Sequence, residues 1–267
     1  MGEAAEGRWS SPRRTHFVLV HGLGGGAWCW YKLRALMESS GYSVSCIDLK
    51  SSGKDPTSAD SVLCFDEYNK PLMDLLASLH ETEQVILVGH SAGGLSMTQA
   101  MREFAGKIRA AVFVTATMLR SGFCTDQDVK DGVPDLSEFG DDVYDAGFGL
   151  GLHKPPTSAI VKREFQRQIL YQMSPLEDST LAAMLLKPGP ILAIQAARFA
   201  DENLAIDTVP RVFIKAVHDN VLRLEQQEAM IRRWPPAETY TLECDHSPFF
   251  SATLPLYGLL VKVAATF

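Results

Sequence analysis

The chain has 267 residues, 46% of them hydrophobic, which is enough for one large domain with a substantial core. Its net charge is −7 and its basic residues are scattered, so nucleic acid is not an expected partner. No apolar run is long enough to span a membrane, and residues 1–14 are expected to be a disordered leader rather than a signal peptide. The five cysteines show no Cys-x-x-Cys spacing, which favours a reduced, cytoplasmic protein.

The first part of the chain alternates strands and helices. Short apolar runs predict strands over 17–20, 42–47, 85–88 and 110–116, and apolar residues at helical spacing predict helices over 30–37, from 66 or 69 to 80, and over 95–104. Gly41 is suited to end the first helix, and Pro71 is compatible with the second only near its first turn. This alternation predicts a parallel sheet covered by helices on both faces.

The alternation stops after Met118. Residues 119–190 show no convincing strand, an acidic loop over 126–145, and helical runs at 158–173 and 175–185. Strand, helix, strand and closing helix follow at 211–217, 224–233, 238–243 and from about 254. We therefore expect a core built from 15–118 and 191–267, interrupted by a mainly helical insertion.

One strand ends in a pattern typical of a nucleophilic serine. Residues 85–88 run into Gly89-His90-Ser91-Ala92-Gly93, a Gly-x-Ser-x-Gly motif before a helix. A serine on so sharp a turn is strained, and the crowded positions two residues before and after it favour glycine. The helix N-terminus also favours negative charge beside the hydroxyl. An ordinary glycine-rich loop has the same pattern, so other residues must decide.

The first glycine-rich loop offers a rival interpretation. Gly22-x-Gly24-x-x-Ala27 follows the first strand and Asp48 ends the second, as in a dinucleotide-binding fingerprint. No Tyr-x-x-x-Lys pair accompanies it, and it leaves the serine turn unexplained. We favour a loop whose Leu23 N–H, together with the N–H of Ala92, stabilises an oxyanion.

A serine nucleophile needs a base and an acid that orients the base. Among seven histidines, only His246 follows the last predicted strand, after an acid that follows the strand before it. That acid is Asp219. Asp245 would have to fold back to reach the ring of its neighbour, so we interpret it as a loop-forming residue. This mechanism for Ser91 requires no metal and no cofactor.

Several motifs together resemble a known family. They are residues 20–22 with 27–30, the turn at 89–94, 170–175, and Asp245-His246. They are similar to the plant methylesterase and hydroxynitrile lyase group of α/β-hydrolases, and the similarity runs from about Thr15 to the C-terminus. Segments 131–137, 230–236 and 245–250 resemble the branch active on methyl indole-3-acetate.

This resemblance implies an α/β-hydrolase fold, with a mostly parallel central sheet flanked by helices. It also implies that 119–190 form a cap over the serine and an apolar pocket, for which Tyr144, Phe148 and Tyr171 are candidate lining residues. Packing within the cap is the alternative role for these three side chains. Family members commonly carry a histidine where Gly25 stands, which leaves the pocket rim less defined.

The expected function is hydrolysis of methyl esters of small aromatic or apolar acids, with methyl indole-3-acetate as the candidate substrate. A hormone receptor with little turnover is an alternative. A cyanohydrin lyase is disfavoured, because lyases of this group carry a lysine at Ser247 and favour a threonine at Leu23. The expected partners are a small methyl ester and at most a second copy of the chain.

Overall fold

The computed structural model describes residues 14–199 and 204–267, so nearly all of the predicted leader lies outside the described residues. The described strands are β1 (His16–Val20), β2 (Ser43–Ile47), β3 (Val85–Ser91), β4 (Ile108–Ala116), β5 (Tyr144–Gly147), β6 (Ser158–Val161), β7 (Arg211–Ala216) and β8 (Glu238–Leu242). The described α-helices are α1 (Tyr31–Ser39), α2 (Phe65–Ser78), α3 (Gly93–Phe104), α4 (Asp126–Gly132), α5 (Arg163–Leu170), α6 (Leu176–Leu185), α7 (Ile191–Gln195), α8 (Leu224–Arg233), α9 (Pro248–Ser251) and α10 (Thr253–Thr266).

A six-stranded parallel sheet forms the centre of the molecule, in the order β2-β1-β3-β4-β7-β8. Successive residues of its strands face opposite sides. Val18 and Leu87 pack with α2, α3 and α8, whereas Phe17 and Ile86 pack with α1 and α10. Both faces are therefore buried, which explains why the central strands are continuous apolar runs. Parallel strands place their carboxyl ends at one edge, and Ser91 lies there at the end of β3.

The inserted segment, residues 119–190, contains a β-hairpin that the sequence analysis missed. Strands β5 and β6 pair antiparallel, with Tyr144 opposite Val161. The helix predicted from residue 158 consequently begins only at Arg163. Each strand has only four residues, the lower limit at which a strand pattern can be recognised, so neither was predicted.

The acidic loop predicted over 126–145 also contains a helix. Helix α4 begins after Thr125, whose side chain accepts the N–H of Asp128 while the carboxylate of Asp128 accepts the N–H of Thr125. This reciprocal pair is a capping box. The carboxylates at the start of α4 are thus part of a helix N-terminus, where negative charge is favourable.

Helix α2 corrects a further expectation. Pro71 lies in its second turn, not its first, because the helix begins at Phe65. A proline there lacks the N–H that would donate within the helix, and its ring crowds the carbonyl of the preceding turn. Elsewhere, none of the helices within the described ranges is both long and apolar enough to cross a bilayer. All five cysteines lie within these ranges and are unpaired.

Side chains of the core hold the inserted segment in place. Asp178 of α6 is fully buried and accepts hydrogen bonds from the Tyr31 hydroxyl, at 2.6 Å, and from the Lys32 ammonium group of α1. Charged hydrogen bonds of this kind are among the stronger ones in proteins. They fix α6 relative to the first helix of the core.

Candidate active site

Ser91 occupies a strained turn between β3 and α3. Its φ is 53°, in the left-handed region that residues other than glycine rarely adopt. A Cβ on Gly89 would lie 2.2 Å from the Met97 sulfur, and one on Gly93 would lie 2.5 Å from the His21 carbonyl oxygen. Both positions are therefore as crowded as the Gly-x-Ser-x-Gly pattern predicts. The packing of α3 against β1 holds the serine in its strained conformation.

We expect Gly93→Ala to destabilise the protein by about 3 kcal/mol. The added methyl group would meet two backbone oxygens, those of His21 and Val20, at 2.5 and 3.0 Å, and neither can move without shifting β1. Gly258→Ala in α10 is the matched control, because nothing lies within 4 Å of its Cβ position. That variant should gain about 0.5–1 kcal/mol from helix propensity. Urea unfolding of both variants measures the difference, and equal stabilities would contradict the prediction.

Asp219 and His246 are hydrogen bonded, as predicted from their positions after β7 and β8. His246 Nδ1 lies 2.8 Å from Asp219 Oδ2, and both side chains are buried. The other carboxylate oxygen accepts the backbone N–H groups of Val221 and Leu222, at 2.7 and 3.0 Å. These donors compensate the carboxylate for its loss of water. The arrangement fixes the orientation of the imidazole ring and leaves its Nε2 for another partner.

Asp245 lies apart from the His246 ring and has a different set of partners. One carboxylate oxygen accepts the N–H of Ser247 at 2.9 Å. The other accepts the N–H of Met173 and the hydroxyl of Ser174, at 2.9 and 2.8 Å. Asp245 therefore shapes its own loop, as the sequence suggested. It also ties that loop to the inserted segment, a contact that the sequence did not reveal.

Two further histidines near the serine have lowered pKa values. Burial lowers the pKa of His90 well below its ordinary value, and the nearby His246 lowers it further. Its Nε2–H donates to the carbonyl oxygen of His246 at 2.6 Å. Burial also lowers the pKa of His21, whose Nδ1–H donates to the Gly22 carbonyl while Nε2 accepts the N–H of Leu49. Both rings support loops around Ser91 through these bonds, and both nitrogens of His21 are engaged.

The first glycine-rich loop brings a second N–H group to the site. Gly24 has φ 69°, and the N–H of Gly25 donates to the Gly22 carbonyl, so the chain turns sharply at this point. Leu23 and Ala92 both line the cavity that contains Ser91. Within the described residues, neither of their N–H groups has an acceptor in the protein. Two residues at the serine cavity thus have N–H groups without an acceptor in the described part of the protein, which an oxyanion site needs.

Asp48, the acidic residue of the rival dinucleotide motif, accepts two backbone N–H groups. One of its carboxylate oxygens accepts the N–H of Ala27 at 2.6 Å, and the other accepts the N–H of Lys54 at 3.1 Å. Its carboxylate therefore joins two loops. Among the described residues, no group of three or more His, Cys, Asp or Glu is arranged to hold a metal ion.

The cavity above Ser91 has a volume of about 450 Å³. Its walls are mostly apolar, and the inserted segment supplies one side of it. Tyr144 and Tyr171 both line it, as predicted. Tyr171 also packs on Phe250, with ring centroids 6.1 Å apart, so it contributes to the core as well. Phe148 does not line the cavity: it lies beyond the end of β5 and is 38% exposed.

Residues 17–255 match the model of the alpha/beta hydrolase family. The chain belongs to this family. The α/β-hydrolase is 57% identical to Methylesterase 17 of Arabidopsis thaliana over 259 residues, which cover 96% of this chain and 94% of that relative. The relationship places the chain among the plant methylesterases.

Solved structures of this group superpose closely on the α/β-hydrolase. The methylesterase MES16 from Arabidopsis superposes with a TM-score of 0.84 at 37% identity, covering 95% of this chain and all of that one. Tomato methylketone synthase I, in complex with 2-tridecanone, superposes with a TM-score of 0.87 at 34% identity, covering 96% and 99%. The predicted fold class, an α/β-hydrolase with a mostly parallel central sheet, is therefore confirmed.

Proposed function

We propose that this α/β-hydrolase is a serine carboxylesterase that cleaves methyl esters of small aromatic or apolar carboxylic acids. The observation that carries the proposal is the buried hydrogen bond between His246 and Asp219, located at the same apolar cavity as the strained Ser91. A methylesterase 57% identical to the chain over nearly its full length supports the same reaction class. Residues 119–190 serve as the cap that shields this reaction from water.

The reaction proceeds through an acyl-serine. Ser91 Oγ attacks the ester carbonyl carbon while His246 Nε2 takes the hydroxyl proton, and Asp219 stabilises the resulting imidazolium. The negative oxygen of the tetrahedral intermediate accepts the N–H groups of Leu23 and Ala92, each contributing on the order of 3 kcal/mol. The bond to the methoxy oxygen then breaks, and methanol leaves with the proton from His246.

A water molecule completes the cycle. His246 removes one of its protons as its oxygen attacks the acyl carbon, and a second tetrahedral intermediate forms at the same N–H groups. Ser91 is then expelled and regains its proton, and the carboxylic acid is released.

The finer proposal is that the substrate is methyl indole-3-acetate. It is supported by three segments, 131–137, 230–236 and 245–250, that resemble the branch active on this ester. The aromatic side chains of Trp28, Tyr171 and Phe249 at the cavity wall provide surfaces suited to an indole ring. A cavity of about 450 Å³ falls within the usual range for sites that bind small molecules.

Steady-state kinetics on methyl indole-3-acetate, methyl jasmonate and methyl salicylate test both levels of the proposal. We expect turnover with the highest kcat/KM on methyl indole-3-acetate, and equal amounts of methanol and free acid. A higher kcat/KM on another ester would overturn the finer proposal and leave the esterase intact. Tight binding without turnover on any of them would instead identify a receptor that retains a hydrolase pocket.

A further inference from the structure

Thr115 has an unusual backbone conformation directly opposite the serine. It lies near the end of β4, is fully buried, and has φ 37°. Positive φ is unfavourable for any residue with a Cβ and most of all for a β-branched one. Strain of this kind persists only where the surrounding structure enforces it, and it is common at functional sites.

The strain coincides with a bulge in the pairing of β3 with β4. His90 pairs with Val114 and Ser91 with Ala116, so Thr115 is the extra residue on β4. A bulge of this kind changes the direction of the side chain at the bulged residue. The irregularity therefore lies at the point where β3 enters the serine turn.

The hydroxyl of Thr115 contacts Asp219, the predicted acid. Thr115 Oγ1 donates to Asp219 Oδ2, the oxygen that also accepts Nδ1–H from His246. Backbone N–H groups hold the other oxygen, Oδ1. Without Thr115, the imidazole would be the only donor to Oδ2 in the described residues. Thr115 itself does not line the cavity, so it acts only through Asp219.

We propose that Thr115 is a positioning residue for the catalytic acid: its hydroxyl sets the rotation of the Asp219 carboxylate that aligns His246 with Ser91. This role rests on the proposed serine mechanism. Because Thr115 does not touch the cavity, its loss should lower kcat and leave KM nearly unchanged. A hydrogen bond to a charged group is strong enough for an effect of about tenfold.

Three substitutions at Thr115 separate the effect of its hydroxyl on activity from the effect of its backbone conformation. Thr115→Val keeps the branched shape and removes the hydroxyl. Thr115→Gly removes the hydroxyl and tolerates positive φ, so it keeps the test valid if the valine variant does not fold. Thr115→Ser keeps the hydroxyl and should retain kcat within about twofold of wild type. The control is Thr98→Val, which removes a buried hydroxyl that bonds only to the Gly94 carbonyl within α3.

Each variant is assayed for kcat and KM on p-nitrophenyl acetate and for the rate at which a fluorophosphonate labels Ser91. We expect Thr115→Val and Thr115→Gly to lose about tenfold in kcat and in labelling rate, whereas Thr115→Ser and Thr98→Val remain near wild type. A valine or glycine variant within twofold of wild type would overturn the proposal. So would a folded serine variant as slow as the valine variant.

The labelling reaction distinguishes failure of this inference from failure of the proposed function. If the wild type hydrolyses no ester but is labelled at Ser91, the esterase proposal is wrong, and the labelling rates still decide the role of Thr115. If the wild type hydrolyses esters and the Thr115 variants match it, only the positioning role is wrong. A wild type that shows neither reaction would overturn both.

Discussion

Replacing Ser91 with alanine should lower kcat by about six orders of magnitude, to the limit of detection, on every ester that the protein hydrolyses. The Ser91 hydroxyl is the only group that forms the acyl intermediate in the proposed mechanism. The N–H groups of Leu23 and Ala92 would remain, but without a nucleophile they can assist only direct attack by water. Binding should persist, because the apolar walls of the cavity are unchanged, and equilibrium binding of the free acid to the variant would show this.

Ser96→Ala is the matched control for this experiment. Ser96 lies on α3, one turn beyond the serine turn, and its buried hydroxyl has no hydrogen-bond partner among the described residues. Removing an unpaired buried hydroxyl should cost no stability and leave kcat near the wild-type value. A Ser91→Ala variant that kept more than about one hundredth of wild-type kcat would contradict the expected loss and show that another group is the nucleophile.

The three residues of the proposed triad could be chosen from the sequence because each carries a local signal. Gly89 and Gly93 mark the turn, and Asp219 and His246 each follow a strand of recognisable pattern. The parallel sheet then brings the ends of these strands to one edge, although the residues are far apart in sequence. Chain order and topology together were sufficient to predict that Asp219 and His246 lie close together, and the two side chains are hydrogen bonded.

The contacts that support these residues left no such signal. Thr115 belongs to an apolar run that predicts an ordinary strand, and its partner Asp219 lies 104 residues further on. A bulge adds one residue to a strand without changing its composition, so the pattern of β4 does not show it. The bonds that Met173 and Ser174 donate to Asp245 likewise depend on how the inserted segment folds over the core.

The inserted segment was the least predictable region. Its two strands are short, and one of them consists of Tyr144-Asp145-Ala146-Gly147, which has no β-branched residue. The missed hairpin also explains the error at Phe148. Whether a side chain near a hairpin faces a cavity or solvent depends on strand register, and register cannot be assigned to strands that were not predicted.

Asp219→Asn should mainly lower kcat, whereas Asp245→Asn should mainly lower stability, although both replace a buried carboxylate near His246. Asp219→Asn should lower kcat by about four orders of magnitude, with a much smaller change in stability. The amide has nearly the same shape but no charge to stabilise the imidazolium. Its NH₂ group can also face Nδ1 and favour the tautomer in which Nε2 cannot accept the serine proton.

Asp245→Asn should instead cost about 2 kcal/mol of stability and lower kcat by at most about tenfold. Its two carboxylate oxygens accept four donors, two backbone N–H groups and the hydroxyls of Ser174 and Ser251. A hydroxyl can turn and accept from the amide NH₂ group, but a backbone N–H cannot, so either Ser247 or Met173 must lose its acceptor. Urea unfolding and steady-state kinetics on the same preparations measure both quantities. If Asp245→Asn reduced kcat as severely as Asp219→Asn while remaining folded, Asp245 would take part in orienting the imidazole, and the assignment of Asp219 as the sole orienting acid would be wrong. The bonding in the structure argues otherwise, because Asp219 is the one carboxylate among residues 14–199 and 204–267 that is hydrogen bonded to the His246 ring.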